Sequence, residues 1–568
     1  MTGTGPIDYE VLERWPTLTE AVTAPHPDDS ECAIIFTQTG SEPVTISRRE
    51  FLDTARRYAY ALRAQGIRAG DLVLVAHDDT LPVVYCFWGL LLLGATPSIY
   101  TTPNERLFPE VYMGNVARLV QDIDARAFLT LDELAETFAR KLGCPAIGFS
   151  KVQATLPAEG AADVPTHRAV PEELAYVQTS SGTTGNQRCV PTTHRMLLNQ
   201  LASFARRMDL RRDDVIVNWM PLYHDGGLIF GTILPIAYRV PVVLIPPLDW
   251  VRHPAILFKA IAAHGGTLSN MPNFAFNHLV RRVRDRDVEG ISLSGVRAFI
   301  NGSERVYHTS FDRFVERFAG MGVTRDRLGV AYGLAENTLM AAHTLMGTAP
   351  VYDTVSRDKL ELEQLAERCA ADAPDAMINV SCGPPLDRVE MRILDDKDQA
   401  LPERRVGQVA IRSDSLFSGY HRHPEMNASL FRGEWFLTGD MGYMADGELY
   451  IVGRLKDLII NGGKNIYPAD LEEIISTVPG VKPGRIAVFG VPDEVEGTEL
   501  IAAVVEVDTE DPAQKAEIDR QIRRAITQSM SLTLNFLDVL SERWVIKTSS
   551  GKTSRTANRR KWLEARRK

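Results

Sequence analysis

The stretch QTSSGTTGNQRCVPTTH, from Gln178 to His194, decides how the rest of the chain is interpreted. It opens with serine and threonine hydroxyls around two glycines, a composition that lets backbone N–H groups approach an anion closely. It closes with Gln187, Arg188 and Cys189, an unusual ending for such a loop. The stretch therefore predicts a phosphate cradle whose last residues are altered.

The composition is typical of a large globular protein. The chain has 568 residues, of which 45% are hydrophobic and 24% are charged, so we expect at least two domains. A formal net charge of −10 argues against a general nucleic-acid-binding protein, whose binding surface would be basic. The six cysteines form no CxxC pair and no export signal begins the chain, so we expect reduced thiols in a cytoplasmic protein.

One apolar stretch raises the question of a membrane span. Residues 81–100 (LPVVYCFWGLLLLGATPSIY) carry no charge over a length that could cross a bilayer. Pro82, Gly94 and Pro97 interrupt the stretch. We therefore predict a buried helix that leads into a buried strand, and no membrane span.

Alternating helix and strand patterns predict the fold class. Apolar residues at helical spacing over 48–64 are followed by a strand-like run at 71–77, and similar alternation continues to about residue 333. Such alternation favours an α/β fold with largely parallel sheets and ligands at the carboxyl ends of the strands. From about Val389 the runs become short and alternating, which indicates a small antiparallel or barrel-like unit. The charged tract 351–377 is interpreted as an exposed insertion.

Two familiar motifs are incomplete. Gly551, Lys552 and Thr553 end like a Walker motif, but Ile546 stands where its first glycine would be. Ser549 to Lys552 fits the S-x-x-K pattern of penicillin-binding enzymes without the companion motifs. A P-loop kinase, a P-loop ATPase and an enzyme of that serine type are therefore disfavoured.

Seven short motifs in a fixed order carry a resemblance to one family. They are TSSGTTG (179–185), MPLYHDGG (220–227), NGSE (301–304), YGLAENT (332–338), LTGD (437–440), GRLKD (453–457) and KTSSGK (547–552). In this order and spacing they resemble the adenylate-forming superfamily, which includes acyl-CoA synthetases, fatty acyl-AMP ligases and peptide-synthetase adenylation domains. The resemblance covers nearly the whole chain.

The resemblance implies an α/β fold with two parts. The large N-terminal domain, 1–453, would contain two doubly wound subdomains and a small β-barrel at about 389–453. A hinge at 454–457 would join it to a mobile, small α+β C-terminal domain at 458–568. Such enzymes convert a carboxylate and ATP into an acyl-adenylate and pyrophosphate, after which a thiol displaces AMP. The implied ligands are ATP or acyl-AMP, CoA and Mg²⁺.

The resemblance also assigns roles to residues of this sequence. The catalytic residues would be Lys552, Lys456 and His224. The nucleotide would be bound by Ser180, Ser181, Gly182, Thr183, Thr184, Gly185, Arg188, Gly302, Ser303, Glu304, Tyr332, Gly333, Leu334, Ala335, Asp440 and Arg454. The acyl pocket would be lined by His224, Gly226, Gly227, Leu228, Asn273, Phe274, Asn301 and Gly302, and the path for CoA by Gly462 and Gly463. Glu336 and Thr184 would hold Mg²⁺.

The residue types suit these roles. Tyr332 offers adenine a flat apolar face, and the Asp440 carboxylate can accept from both ribose hydroxyls, with help from Arg454. Lys552 is a compact cation for the charge shared by the substrate carboxylate and the α-phosphate. Lys456 lies at the hinge, where a backbone rotation would present alternate faces of the small domain. Each residue taken singly would also fit a core position, a surface turn or a tail.

The thiol acceptor is left open between two alternatives. The motifs around 218–228 and 270–276, and the tract after 346, look like fatty acyl-AMP ligases, whose inserted segment is associated with transfer to a carrier protein. The run 453–474 instead looks like acyl-CoA synthetases. Because the inserted tract lacks the apolar pattern needed to clamp domains together, we favour CoA. The apolar pocket candidates predict a hydrophobic carboxylic acid as the substrate.

The end of the phosphate loop raises a further alternative. Arg188 replaces the family's lysine with a wide planar cation. Cys189 stands where the family has glycine, and a left-handed turn there would cost roughly 1–3 kcal/mol. The chain is thus interpreted as an acyl-CoA ligase, with three alternatives: an enzyme that only converts acyl-AMP into a thioester, a carrier-loading fatty acyl-AMP ligase, or a degenerate acyl-adenylate-binding protein.

Overall fold

The computed structural model describes residues 7–103, 109–160, 167–180, 188–461, 464–493, 498–530, 532–548 and 551–567. The α-helices are α1 Leu18–Thr23, α2 Arg48–Ala64, α3 Thr80–Leu93, α4 Pro109–Asp122, α5 Asp132–Ala139, α6 Phe149–Ala154, α7 His194–Arg207, α8 Leu234–Tyr238, α9 Pro247–Arg252, α10 Ile256–His264, α11 Asn273–Arg282, α12 His308–Phe318, α13 Arg357–Glu363, α14 Pro424–Asn427, α15 Pro468–Ser476, α16 Pro512–Met530 and α17 Arg555–Arg567.

The strands precede, separate and follow these helices along the chain. They are β1 Cys32–Phe36, β2 Val44–Ser47, β3 Leu72–Val75, β4 Thr96–Ile99, β5 Ala127–Thr130, β6 Ala146–Gly148, β7 Leu174–Ser180, β8 Arg188–Thr193, β9 Ile216–Asn218, β10 Val242–Leu244, β11 Leu268–Pro272, β12 Ala298–Gly302, β13 Leu328–Gly333, β14 Met340–His343, β15 Tyr352–Ser356, β16 Ala376–Val380, β17 Val389–Leu394, β18 Gly407–Ser413, β19 Phe431–Arg432, β20 Trp435–Ala445, β21 Glu448–Arg454, β22 Ile459–Asn461, β23 Lys464–Ile466, β24 Val481–Asp493, β25 Thr498–Val507 and β26 Phe536–Leu540.

An eight-stranded sheet forms the centre of the large part of the molecule. Its order is β14-β13-β12-β11-β9-β10-β1-β2, and its six inner strands run parallel. The outermost strands, β14 and β2, pair antiparallel to their neighbours. Because the inner strands are parallel, their carboxyl ends meet along one edge, where ligands of α/β proteins bind.

The apolar stretch 81–100 belongs to a second unit, which is built on a parallel sheet of order β4-β3-β5-β6. That stretch folds as the buried helix α3 followed by the buried strand β4, as predicted. Gly94 ends α3 in the left-handed conformation, at φ 81°, which a glycine adopts without strain. In the regions that the structure describes, every helix is too short or too polar to cross a membrane.

The C-terminal third of the chain is built from smaller units. Strands β17 to β21 form a five-stranded antiparallel sheet that ends at Arg454. Beyond it, β24, β25 and β26 form a mixed sheet. A separate hydrophobic core contains only residues between Ile459 and Leu534 and packs α15 and α16 on this sheet. All six cysteines lie in described regions and are free thiols.

The charged tract at 351–377 is only partly exposed, so the prediction of an exposed segment is wrong for the residues that pack inside. Strands β15 and β16 pair antiparallel around α13. Val355 and Leu360 are buried in one cluster with Tyr467 from the C-terminal part of the chain. Part of the charge that suggested exposure is paired: the Asp353 carboxylate is 1% exposed and contacts two arginines, including Arg404 at 3.1 Å.

Candidate active site

The predicted site residues gather at the carboxyl edge of the eight-stranded sheet. The segment 223–228 follows β9, and α11 begins directly after β11. Gly302 is the last residue of β12 and Gly333 the last residue of β13, with 303–304 and 334–336 directly behind them. Motifs that lie far apart in sequence are therefore brought together by the parallel strand order.

The segment after β9 makes a tight turn around His224 and Asp225. The Nδ1 atom of His224 lies 2.6 Å from Oδ1 of Asp225, and the same carboxylate oxygen accepts the Gly226 N–H at 2.8 Å. Burial raises the pKa of Asp225, but His224, Lys552 and the Gly226 N–H together outweigh burial and lower it. The turn thus holds an ionised carboxylate beside the sheet edge.

Glycine is required at Gly227 in this turn. A Cβ there would lie 2.2 Å from the Pro221 carbonyl oxygen, which is closer than side chains approach backbone. Gly227 belongs to a π-helix, Gly226–Ile233, whose residues are all buried, Leu228 among them. The MPLYHDGG motif is thus explained by close backbone packing.

Two asparagines and a glutamate connect β11 and β12. The Asn301 side chain donates to Oδ1 of Asn273 at 3.1 Å, and the Phe274 N–H donates to Oε1 of Glu304 at 2.6 Å. Burial raises the pKa of Glu304, against the lowering effects of the Phe274 N–H and Lys552. Ser303 adopts a left-handed φ of 72° between them, a strained conformation for serine that is typical of functional turns.

Asp440 has partners on both oxygens. The Tyr332 hydroxyl donates to its Oδ2 at 2.7 Å, and Nε of Arg454 lies 3.1 Å from its Oδ1. Burial and Asp440 raise the pKa of Tyr332 well above its usual value, so the hydroxyl keeps its proton. The bond between Tyr332 and Asp440 was not predicted, since the sequence suggested only a flat face for this ring.

Lys552 comes to the same place from the C-terminal part of the chain. Burial lowers its pKa and Arg454 adds to that effect, while Asp225, Glu304 and Asp440 oppose it. One ammonium group therefore lies in the field of three carboxylates: Asp225 after β9, Glu304 after β12 and Asp440 on β20. The catalytic role of Lys552 stays a prediction.

Lys456, the second predicted catalytic lysine, follows β21 in a short 3₁₀ helix. Its pKa is lowered by burial and by Arg454, and Arg188 contributes as well. Lys456 and Lys552 therefore both lie near Arg454 in this conformation, so the cations of the site are crowded together. A bound polyanion would relieve this repulsion.

The end of the phosphate loop differs from its prediction. Cys189 lies in the regular strand β8, paired with Thr179, and is fully buried. No left-handed turn exists there, so the predicted strain is absent. Arg188 donates from Nη1 to the Tyr420 hydroxyl at 3.0 Å, and Tyr420 donates to Oε1 of Glu336 at 2.5 Å. Sequence patterns gave no sign of Tyr420.

Several predicted residues lie outside the described residues. These are Ser181, Gly182, Thr183, Thr184, Gly185, Gln187, Gly462 and Gly463. For Ser180, the structure describes only the backbone, as the last residue of β7. Leu334 and Ala335 lead from β13 into the 3₁₀ turn Ala335–Asn337 that carries Glu336.

An aromatic cluster stands beside the segment that holds Glu304. The rings of Trp219 and Trp250 stack with centroids 3.5 Å apart, and both side chains are buried, at 3% and 0% exposure. Phe274 is 39% exposed and lies edge-on to both indoles, at 6.3 and 6.4 Å. The sequence predicted Phe274 in this region but neither tryptophan.

Glu336 is the residue best suited to a magnesium ion. Among the described residues, no group of three histidines, cysteines or carboxylates is close enough to enclose a metal. Mg²⁺ is usually held by one or two carboxylates, with phosphates and water completing its shell. A single half-buried carboxylate beside the end of the phosphate loop fits that requirement.

Comparison with known proteins agrees with this geometry. A family model described as AMP-binding enzyme matches residues 20–421, and one described as AMP-binding enzyme C-terminal domain matches residues 470–552. The chain belongs to the AMP-binding enzyme family. The predicted membership of the adenylate-forming superfamily is therefore confirmed.

Relatives of this AMP-binding enzyme include two mycobacterial proteins. The long-chain-fatty-acid–AMP ligase FadD26 of Mycobacterium bovis is 31% identical over 518 residues, which cover 86% of each chain. The 4-hydroxyphenylalkanoate adenylyltransferase of Mycobacterium tuberculosis is 29% identical over 546 residues, covering 91% of this chain and 85% of the relative.

A solved structure shows the same architecture. It comes from work on fatty acyl-adenylate ligases of E. coli and L. pneumophila, with 26% identity and a TM-score of 0.90, and covers 97% of this chain and 99% of the other. The predicted α/β fold, with a large N-terminal and a small C-terminal domain, is confirmed.

Proposed function

We propose that this enzyme activates a hydrophobic carboxylic acid with ATP as an acyl-adenylate and passes the acyl group to a pantetheine thiol. The observation that carries the proposal is that hydrogen bonds and an ion pair hold Asp225, Glu304 and Asp440 in the region that Lys552 also reaches. A lysine from the C-terminal part at the sheet edge is the arrangement needed for adenylation. Attack of the carboxylate on the α-phosphorus of ATP forms the acyl–phosphate bond and releases pyrophosphate.

The nucleotide would be held by the groups around Asp440. Its carboxylate accepts from the ribose hydroxyls, while Tyr332 and Arg454 fix its orientation through one contact on each oxygen. A carboxylate fixed in this way needs no reorganisation when the nucleotide binds. Lys552 would bridge the substrate carboxylate and the α-phosphate, where its compact charge offsets the negative charge of both.

Glu336 would hold a magnesium ion. When bound, the ion would neutralise phosphate charge and favour departure of pyrophosphate. Glu336 itself would supply one carboxylate oxygen, since the other already accepts from Tyr420. The chain's contribution is thus to fix one ligand beside the end of the phosphate loop.

The aromatic cluster supports a hydrophobic acid. Trp219, Trp250 and Phe274 form an apolar wall, and Phe274 is joined through its N–H to Glu304, which faces Lys552. The acyl tail would therefore extend from the reacting carboxylate along this wall. One relative is named for long-chain fatty acids and another for 4-hydroxyphenylalkanoates, and both names support an acid with a largely apolar tail.

The packed insertion favours a carrier-protein pantetheine over free CoA as the acceptor. Val355 and Leu360 share a buried cluster with Tyr467, and Arg305 holds Asp470 of α15 at 2.5 Å. Thiol transfer that uses another face of the small domain must break such contacts. A docking protein surface can supply the binding energy for that step, whereas CoA offers a much smaller interface.

Two assays with purified protein test the proposal. With ATP, Mg²⁺ and a panel of straight-chain and aryl acids, we expect pyrophosphate release and formation of the corresponding acyl-AMP. With a holo-carrier protein and with CoA as competing acceptors, we expect the thioester mainly on the carrier. Conversion of synthetic acyl-AMP without any pyrophosphate release would favour the non-adenylating alternative, and binding of acyl-AMP with neither reaction would favour a binding protein.

A further inference from the structure

The segment 417–421 joins the end of the phosphate loop to the turn that carries Glu336. The Phe417 N–H donates to the Glu336 carbonyl at 2.8 Å, and the His421 N–H donates to the Cys189 carbonyl at 2.9 Å. Tyr420 lies between these two backbone contacts. The segment therefore fixes the distance between β8, which carries Cys189, and the turn after β13, which carries Glu336.

Tyr420 is held rigidly in this segment. Its N–H donates to Oδ1 of Asn427 at 2.7 Å, and its carbonyl accepts from the same amide side chain at 3.0 Å. The ring packs edge-on against Phe417 with centroids 5.1 Å apart, and the residue is 2% exposed. Because both the backbone and the ring of Tyr420 are held by these contacts, the position of its hydroxyl is fixed.

The direction of the hydrogen bonds at Tyr420 is fixed by chemistry. The Glu336 carboxylate can only accept, so the single phenolic proton goes to Oε1 of Glu336. The phenolic oxygen must then accept from Nη1 of Arg188. Each bond in the chain Arg188, Tyr420, Glu336 polarises and strengthens the next.

We propose that Tyr420 is a positioning residue for adenylation, which orients Glu336 for magnesium and lets Arg188 act through this contact rather than as a direct phosphate ligand. The proposal rests on the proposed function, since it assigns a role within the same nucleotide site. It also explains why arginine suits position 188: its guanidinium reaches the hydroxyl while lying 5.0 Å from the ring centroid of Tyr420. Lysine would offer only a point charge.

Calorimetric titration of ATP at several Mg²⁺ concentrations tests this role with the variants Tyr420→Phe, Arg188→Gln and the double variant. Tyr420→Phe keeps the ring and its packing and removes only the hydroxyl. We expect the Mg²⁺ concentration needed for half-maximal ATP binding to rise about tenfold in each single variant, because a hydrogen bond to a charged group is lost. The double variant should be no worse than either single one, because both act through one chain.

A matched control is Tyr9→Phe. Tyr9 also donates to a carboxylate, Asp209 at 3.0 Å, with arginines nearby, but far from the nucleotide site in the fold. Its Mg²⁺ dependence should equal that of the unmodified enzyme. Thioester formation from synthetic acyl-AMP by Tyr9→Phe should stay within about twofold of that by the unmodified enzyme, which shows that the variant is folded.

Two results would overturn the inference. One is a Tyr420→Phe variant whose Mg²⁺ dependence matches the Tyr9→Phe control. The other is an additive loss in the double variant, which would mean that Arg188 contacts phosphate independently of Tyr420. An enzyme that binds Mg²⁺ and ATP but forms no acyl-AMP would contradict the proposed function alone, because the titration would still decide the role of Tyr420.

Discussion

The proposed nucleotide end and the proposed acyl end of the site are built on different principles. At the nucleotide end, a tyrosine hydroxyl donates to each of the carboxylates Asp440 and Glu336, so hydrogen bonds orient both carboxylates. At the proposed acyl end, the buried stack of Trp219 on Trp250 supports the exposed ring of Phe274, so the contacts are apolar. From this difference we expect single polar atoms to control the use of ATP and ring size to control which acid is accepted.

The largest expected effect comes from removing the charge of Lys552, which lies between the nucleotide end and the acyl end of the proposed site. In Lys552→Ala, the carboxylate and the α-phosphate lose the cation that offsets their charge, so acid-dependent pyrophosphate release should fall by about 10²–10³. Thioester formation from synthetic acyl-AMP should change by less than about threefold. Stopped assays of both steps on one preparation measure the ratio of the rate of pyrophosphate release to the rate of thioester formation. An equal loss in the two steps would contradict the distinct role of Lys552.

Lys515→Ala is the control for this variant. Lys515 lies on α16 and binds the Ser541 hydroxyl at 2.8 Å, within the small domain. Both steps should be unchanged in the control. A loss there would mean that the assay reports the stability of the domain rather than the chemistry.

The acyl end should respond through substrate choice. Trp250→Leu removes one ring of the stack, which leaves room beside Trp219 for a longer or wider tail. We expect the ratio of kcat/KM for a long-chain acid over a short one to rise about tenfold or more, since each buried methylene contributes roughly 0.8 kcal/mol. Steady-state rates across a chain-length series measure the ratio. A lower fraction of folded enzyme reduces both kcat/KM values equally and so leaves their ratio unchanged.

Trp88→Leu provides the comparison for the acyl series. Trp88 is also a fully buried indole, packed edge-on against Phe51 at 5.8 Å in the core of the large domain. Its substitution should lower stability without altering the chain-length ratio. Equal shifts in both variants would show that the tryptophan stack does not line the acyl site.

The sequence predicted the frame of the site better than its contacts. The family resemblance predicted Asp440, Glu336 and Lys552 in one site, but the shared edge of the parallel strands accounts only for the position of Glu336, directly after β13. Tyr420 and Trp250 were missed because they contact residues that are distant in sequence, Glu336 and Trp219. No periodic pattern in the sequence marks such contacts.

Two errors have a physical explanation. Cys189 was assigned to a strained turn by analogy with glycine, but its neighbours continue a paired strand and bury the thiol. The tract 351–377 was assigned to the surface from its charge, but Asp353 and its arginines pair with each other. Val355 and Leu360 are then free to pack inside.

The correction at Cys189 leads to a prediction opposite to that from a strained turn. Cys189→Gly should destabilise the enzyme by about 1–2 kcal/mol, because it removes a buried side chain and places glycine in a strand. Adenylation per folded molecule should not increase. Denaturant unfolding and pyrophosphate release measure the two quantities, and a gain in either would contradict the assignment of Cys189 to the core.

The smallest expected effect concerns pH and the packed insertion. Burial and Asp470 raise the pKa of Glu361 to about 7, and the side chain faces Arg357 and Lys464 as well as Asp358. Because the folded state binds this proton more tightly, its stabilising effect is complete below pH 4.5 and is lost as the pH rises through 7. Glu361→Gln should thus raise stability by roughly 1–2 kcal/mol at pH 8 and change it little at pH 4.5. Unfolding curves at the two pH values measure this, and equal effects at both would contradict it.

We propose that this site uses ATP despite its altered phosphate loop. The direct measurement is pyrophosphate release by the unmodified enzyme with Mg²⁺, ATP and a panel of hydrophobic acids, alongside mass-spectrometric detection of acyl-AMP. We expect both products in equal amounts with at least one class of acid, and about 10²–10³ less of both in Lys552→Ala. Absence of pyrophosphate with every acid, while synthetic acyl-AMP is converted to a thioester, would contradict it.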